Sequence, residues 1–211
     1  MSGTSHSRRI ARKIGALLLA TGCAACGGNP PVGTVDPNAT PLSPPLPLGR
    51  VFVLESWGTP PDDTTVTFPV GAPRTIVIRR GAPDNSLFAR VTFPAGSVTP
   101  ARGDSATVRL ALPPGAYGID ITTGDSIGPG ADVTFSYAIH FIAPQAARTV
   151  YGTDIRLERF LGIGRLADDT MLVFLDSWRP ASDLLTARLA GPGRYLVAAP
   201  RTPPGFRTIV F

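Results

Sequence analysis

The chain has 211 residues and a mass of 22.1 kDa, which is the size of one domain with additional segments. Its formal net charge is +5, but four of those charges come from Arg8, Arg9, Arg12 and Lys13, and no acidic residue precedes Cys23. The net charge from Cys23 onward is therefore only +1. This balance does not indicate a nucleic-acid-binding surface, so no nucleic-acid partner is predicted.

The N-terminus has the layout of a secretory signal peptide. A basic segment is followed by an apolar run over residues 14–20 and then by small residues. The apolar run is too short to cross a bilayer, which takes about 20 apolar residues. We therefore predict a signal helix within residues 1–22. Export through the general secretory route is favoured over the twin-arginine route, which the segment "SRRIARK" matches only in part.

The end of this segment carries the most specific motif of the chain. "LATGC" (residues 19–23) resembles the bacterial lipobox, in which small residues precede a cysteine that is acylated and becomes the mature N-terminus. The resemblance implies lipidation of Cys23 and membrane attachment through its acyl chains. Cys26 is the alternative position, but "CAAC" would place a cysteine where an aliphatic residue is expected. The predicted location is the bacterial cell envelope, with the outer membrane favoured over the inner.

The residues after Cys23 form a predicted tether. Seven prolines and four glycines fall within residues 27–49, without apolar periodicity. A proline-rich segment of this kind is extended at about 3.1 Å per residue, which gives a reach on the order of 70 Å. Residues 23–49 are therefore predicted to be the lipidated cysteine and a linker.

From residue 50 the apolar residues alternate with polar ones. The clearest alternation lies in residues 105–112, 117–123 and 132–141, and it is typical of half-buried antiparallel strands. Further strands are predicted at 51–56, 66–70, 75–80, 87–93, 154–161, 171–175, 185–190 and 195–199. Pro-Gly turns separate these runs, and no helical periodicity is evident. We predict an all-β fold, an antiparallel β-sandwich spanning 50–211, with a soft boundary near 143–147.

Parts of this region resemble a known module. "LFARVTFPAGSV" (87–98) resembles the ZU5-type signature, and "DIRLERF", "LADDTMLVFLDSWRP" and "LLTARLAGPGRYLVAAP" are similar to a strand, a hairpin and the closing pair that often follow it in bacterial envelope proteins. The resemblance covers about 80 residues. It implies a β-sandwich with a structural or interaction role, usually without an active site, and it assigns no functional residue.

The residues that could perform catalysis are few. His140 is the only histidine after the predicted signal peptide, so a histidine-based zinc site is excluded and no GxSxG motif accompanies this single base. Acidic pairs such as Asp168–Asp169 lie beside turn residues, where aspartate caps backbone N–H groups. We predict no catalytic residue, no metal and no cofactor.

Three residues are candidates for ligand binding. Trp57 follows the first predicted strand, and Trp178 stands beside Arg179 in "DSWRP". Tryptophan and arginine are enriched in binding hot spots, and tryptophan can stack on sugars. The competing interpretation, favoured by the high average burial of tryptophan, is that both rings fill the ends of the sandwich.

The predicted function is a non-catalytic envelope protein with an envelope protein as partner; the alternatives are a glycan-binding module and an envelope hydrolase with an unrecognised site.

Overall fold

The structure is a computed structural model that describes residues 44–137 and 141–202, apart from the side chain of Phe141. The described residues belong to one compact unit. The predictions for the signal peptide, Cys23, Cys26, the first part of the tether and His140 lie outside the described residues.

The described chain is dominated by short strands, which confirms the all-β prediction. The two helices are α1 (Gln145–Tyr151) and α2 (Asp154–Glu158), and a 3-10 turn covers Leu48–Arg50. The strands are β1 (Leu46–Pro47), β2 (Val51–Val53), β3 (Glu55–Ser56), β4 (Thr64–Pro69), β5 (Arg74–Arg79), β6 (Leu87–Phe93), β7 (Val98–Thr99), β8 (Ser105–Ala111), β9 (Gly118–Thr123), β10 (Ser126–Ile127), β11 (Asp132–Ser136), β12 (Phe141–Ile142), β13 (Gly162–Asp168), β14 (Met171–Phe174), β15 (Ser177–Ala181), β16 (Leu184–Arg188) and β17 (Gly193–Pro200).

The strands form two main antiparallel sheets. The larger has eight strands in the order β1-β14-β13-β17-β9-β8-β4, with β2 also paired to β17, and the smaller has the order β15-β16-β11-β6-β5. Two small pairs, β10-β7 and β12-β3, complete the pairing. Because neighbours in sequence are often placed in different sheets, each sheet is assembled from distant parts of the chain.

One hydrophobic core joins the two sheets. Phe68, Val108 and Tyr195 from the eight-stranded sheet belong to the same buried cluster as Val91 and Phe135 from the five-stranded sheet. The sheets therefore face each other across shared apolar side chains, in a β-sandwich-like arrangement. This burial follows the sequence pattern, since the apolar positions of each alternating strand point into the core.

The two helices are a correction to the sequence analysis. Residues 154–161 were predicted to form a strand, but residues 154–158 form α2. Thr153 caps this helix, because its hydroxyl accepts a hydrogen bond from the backbone N–H of Arg156 at 3.2 Å. Asp154 lies in the first turn, where a negative charge is favourable, and Leu157 is buried. Within the described part of the chain, no helix is long and apolar enough to cross a membrane.

A second apolar cluster lies on the other side of the eight-stranded sheet. Its buried members are Val51, Leu172, Leu196 and Ala198, and Leu46, Leu48 and Leu166 are among the residues that pack against them. Since β1 pairs with β14 at the sheet edge and β2 pairs with β17 in its interior, the chain crosses this outer surface between the two strands. The last residues of the segment predicted as a tether thus take part in the folded unit.

Candidate functional site

An open groove lies on the outer surface of the eight-stranded sheet, beside the crossing segment. It consists of two adjoining recesses of about 290 and 410 Å³. Both recesses are lined by Leu166 from β13, Asp169 from the β13–β14 turn and Arg194 from β17. We call this continuous surface the outer groove, and it is the candidate site.

One end of the outer groove is apolar. Leu48, Val53 and Leu196 line it together with the Pro113–Pro114 turn. These leucine and valine side chains belong to the second cluster, where Leu196 is buried and Leu48 and Val53 are partly covered. The floor of this end is therefore held in place by packing, and it presents a partly exposed apolar surface.

The other end is charged. Arg194 and Asp120 form two parallel hydrogen bonds, Nε to Oδ1 at 2.6 Å and Nη2 to Oδ2 at 2.8 Å. The hydrogen bond to Asp120 raises the pKa of Arg194, and the negative charge of Asp169 raises it further. Arg194 is thus a permanent cation held in one orientation by its neighbours.

The nearby hairpin turn is fixed by Asp168. Its Oδ1 accepts hydrogen bonds from the hydroxyl and the backbone N–H of Thr170, at 2.7 and 2.8 Å, and from the N–H of Met171 at 3.0 Å. The side-chain hydrogen bond from Thr170 is the main reason why the pKa of Asp168 is lowered. The predicted turn role of Asp168 is confirmed. Asp168 and Asp169 add negative charge at this end of the groove.

The outer groove combines an apolar floor with a charged, oriented end, which suits non-covalent binding of a segment carrying both kinds of side chain. Among the residues that the structure describes, no three histidine, cysteine or acidic side chains are grouped so as to hold a metal ion.

Trp57 lies away from the groove, at the side of the five-stranded sheet that ends in β5. Its side chain is 57% exposed. Its backbone carbonyl accepts a 2.6 Å hydrogen bond from Nη1 of Arg80, a residue that is itself only 3% exposed. The Arg80 guanidinium lies 5.2 Å from the ring centroid of Phe88 and 5.7 Å from that of Tyr117. A buried cation therefore fixes the backbone from which the exposed Trp57 ring projects.

Trp178 lies on β15, at the opposite edge of the same sheet, and its side chain is 39% exposed. The Arg188 guanidinium lies 5.5 Å from the centroid of its ring. Neither Trp178 nor Trp57 belongs to the core clusters, so neither fills an end of the sandwich. The two rings lie at different edges and form no common platform.

Arg179 has a structural environment. Its guanidinium donates hydrogen bonds to the carbonyl oxygens of Glu158 and Leu161, the latter at 3.0 Å, and to the Tyr137 hydroxyl at 3.4 Å. These contacts satisfy backbone carbonyls at and beyond the C-terminal end of α2. Arg179 follows Trp178 in the chain, but its guanidinium donates hydrogen bonds to the C-terminal end of α2 and the residues after it.

Sequence analysis missed the residues of the outer groove. Asp120, Asp169 and Arg194 are far apart in the chain, and each looks like an ordinary solvent-exposed residue of a strand or turn. One signal was available: "YLVAA" in β17 is apolar at consecutive positions and buried throughout, which indicates a strand covered on both faces. Comparisons with models of known protein families, with curated protein sequences and with solved structures found no match.

Proposed function

We propose that this chain is a lipid-anchored protein of the bacterial cell envelope, whose β-sandwich-like domain is a non-catalytic interaction module. The observation that carries the proposal is the outer groove, in which a packed apolar floor adjoins the oriented pair of Arg194 and Asp120. The proposed partner is an extended segment of another envelope protein, with an apolar side chain against the partly exposed Leu48 and Val53 and a polar or charged group beside Arg194. The role agrees with that implied by the ZU5-type resemblance.

The anchor is supported by the sequence. The order of basic segment, short apolar run, "LATGC" and proline-rich linker is that of an exported lipoprotein. Maturation can be followed with globomycin, which blocks the signal peptidase of lipoproteins, in the wild type and in the Cys23→Ala and Cys26→Ala variants. Loss of the acylated form in Cys23→Ala alone supports the proposal. Its persistence in that variant rules out Cys23 as the anchor.

The groove can be tested by site-specific photo-crosslinking in cells. A photoreactive amino acid at Leu166 would lie in the groove, and the same amino acid at Val77, which is exposed on β5, serves as the control. We expect a discrete adduct from position 166 that is lost when Arg194→Glu is added. Equal adducts from positions 166 and 77, or an adduct unaffected by Arg194→Glu, would contradict the assignment of the groove.

A second candidate function is glycan binding at Trp57. The observation that favours it is an indole 57% exposed on a backbone that Arg80 holds in place, because a preorganised aromatic face can stack on a sugar ring. Glycan-array binding that is lost in Trp57→Ala and kept in Trp178→Ala supports this function. Binding that both variants retain assigns the glycan to another surface.

A further inference from the structure

We infer that α1 and α2, with the turn between them, form a second membrane-contact surface that binds a bilayer containing anionic phospholipid. We call this segment, residues 145–160, the helical platform. It lies in the connection between β12 and β13 and takes no part in the outer groove.

The helical platform is firmly attached to the body of the domain. The Tyr151 hydroxyl donates a 2.6 Å hydrogen bond to the carbonyl oxygen of Pro200, at the end of β17. The Tyr151 ring packs against Phe52 and Phe160, at centroid distances of 6.4 and 5.3 Å. Leu157 is fully buried, and Arg179 bonds to carbonyl oxygens after α2. The platform therefore presents a fixed surface.

Its outward side exposes aliphatic side chains on either side of the Gly152–Thr153 turn. Ile155 is 68% exposed, more than any other large apolar side chain among the described residues, and Val150 is 44% exposed. Both belong to short helices whose buried residues are Ala147, Tyr151 and Leu157. Transfer of these two aliphatic side chains from water into an apolar environment would be favourable.

The same segment carries three exposed arginines and two acidic residues. Arg148 forms an ion pair with Asp154 at 3.3 Å. Within residues 44–137 and 141–202, the exposed guanidinium groups of Arg156 and Arg159 form no ion pair, and Glu158 is the second acid. Aliphatic side chains flanked by free guanidinium groups match the interface of an anionic bilayer, where the former enter the acyl boundary and the latter bind phosphates.

The proposed anchor would make a weak bilayer contact effective. A domain tethered to a membrane experiences a high local concentration of that membrane, so a small intrinsic affinity suffices to hold it there. The bilayer contact itself does not require the anchor, and it can be measured on a chain without acyl groups. The two proposals can therefore fail separately.

The experiment uses the chain from residue 23 onward with Cys23→Ser and Cys26→Ser, which retains every residue that the structure describes. Co-sedimentation is measured with vesicles of phosphatidylcholine alone and of phosphatidylcholine mixed with phosphatidylglycerol. We expect binding to the mixed vesicles only, weakening as salt is added. Absence of binding to the mixed vesicles, or equal binding to both kinds, overturns the proposal.

Two double variants test the platform itself. Val150→Ser with Ile155→Ser, and Arg156→Gln with Arg159→Gln, are each expected to lower vesicle affinity by about tenfold. The controls are Val77→Ser, at a residue 46% exposed on β5, and Arg102→Gln, in an exposed turn. The vesicle affinity of each control should remain within about twofold of that of the parent chain. A twofold change is smaller than the contribution of one arginine to binding of an anionic bilayer. Retained binding in the platform variants, or an equal loss in the controls, contradicts the inference; far-UV circular dichroism confirms that each variant is folded.

Discussion

Arg194 and Asp120 lie directly opposite each other on β17 and β9, and their side chains form a bidentate ion pair across the two strands. The register of the two strands thus places these oppositely charged side chains within hydrogen-bonding distance. Because the pair borders the outer groove, the same contact that aligns two strands also orients the charge at that end of the groove.

The first prediction concerns the strength of this pair. In a double-mutant cycle with Arg194→Ala and Asp120→Ala, we expect a coupling free energy of about 0.5–1 kcal/mol, because both side chains are partly exposed and water screens the attraction. The measurement is urea unfolding at low and high salt, and the coupling should decrease as salt is added.

The control for this cycle is the pair formed by Arg109 and Asp63. Its single contact is also 2.6 Å long, but the side chains are more exposed, at 56% and 49%. A smaller coupling is expected there. A coupling for Arg109 and Asp63 equal to that for Arg194 and Asp120 would show that bidentate geometry adds nothing here.

The second prediction concerns alkaline pH. Burial raises the pKa of Tyr195 from 10.0 to about 12. Its hydroxyl accepts a hydrogen bond from the N–H of Ala190 at 3.0 Å and donates one to the carbonyl of Gly191 at 2.5 Å. In the unfolded chain this tyrosine ionises near pH 10, whereas in the folded chain it keeps its proton up to about pH 12.

The sign of the effect follows from proton binding. Between pH 10 and 12 the unfolded state binds fewer protons at this group than the folded state, so the free energy of unfolding falls as pH rises. The contribution of Tyr195 to the free energy of unfolding is fully present below pH 10. By pH 12 about 2–3 kcal/mol of it is lost. Urea unfolding of the wild type and Tyr195→Phe across this range measures it. Identical pH slopes for the two proteins would disprove the assignment to Tyr195.

The third prediction concerns Gly118 on β9. A Cβ atom at this position would collide with the backbone carbonyl oxygen of Tyr195 and with the side chain of Leu196. Backbone atoms in a sheet interior cannot move aside cheaply, so Gly118→Ala should lower the free energy of unfolding by about 3 kcal/mol. Gly124→Ala is the matched control, because no atom lies within 4 Å of a Cβ there. Thermal unfolding that ranks the two variants equally would refute this packing argument.

The fourth prediction separates a structural role for Arg179 from a ligand-binding role. Arg179→Ala removes the hydrogen bonds to Glu158, Leu161 and Tyr137, so we expect a loss of about 1–3 kcal/mol in the free energy of unfolding. Arg188→Ala removes one hydrogen bond to a backbone carbonyl, that of Gly130 at 2.8 Å, together with a partly exposed ion pair and the contact with Trp178, so a smaller loss of about 1 kcal/mol is expected. If Arg179→Ala has no effect on unfolding, its contacts with the helix are not stabilising.

The strands with strict alternation were predictable because side-chain direction in a strand has a period of two. Residues 105–112 and 87–93 illustrate this, since β8 and β6 form there. Alternation did not predict β13, because "GIG" carries too few side chains to show a pattern. Its Gly164 is required by packing, since a Cβ there would lie 2.5 Å from Cγ of Leu172 on β14.

The helix α2 and the outer groove were harder to predict for different reasons. In "DIRLERF" the apolar positions fit a strand as well as a short helix, and the helix that forms is capped by Thr153. The groove depends on which strands become neighbours, and local sequence does not encode that pairing. β16 and β17, joined by one turn, lie in opposite sheets. The backbone carbonyl of Trp57 likewise finds its hydrogen-bond donor in Arg80, 23 residues away in the chain.

The route by which the chain enters the domain has a mechanical consequence. A pull applied at residue 44 would act first on β1, which has two residues paired with β14 at a sheet edge, and would peel them apart one at a time. The load would next reach the leucines that pack on the outer surface, and then β2, whose bonds with β17 lie inside the sheet. Residues 44–53 are thus attached to the domain in steps of increasing strength. The short β1–β14 pair separates first, before force reaches β17.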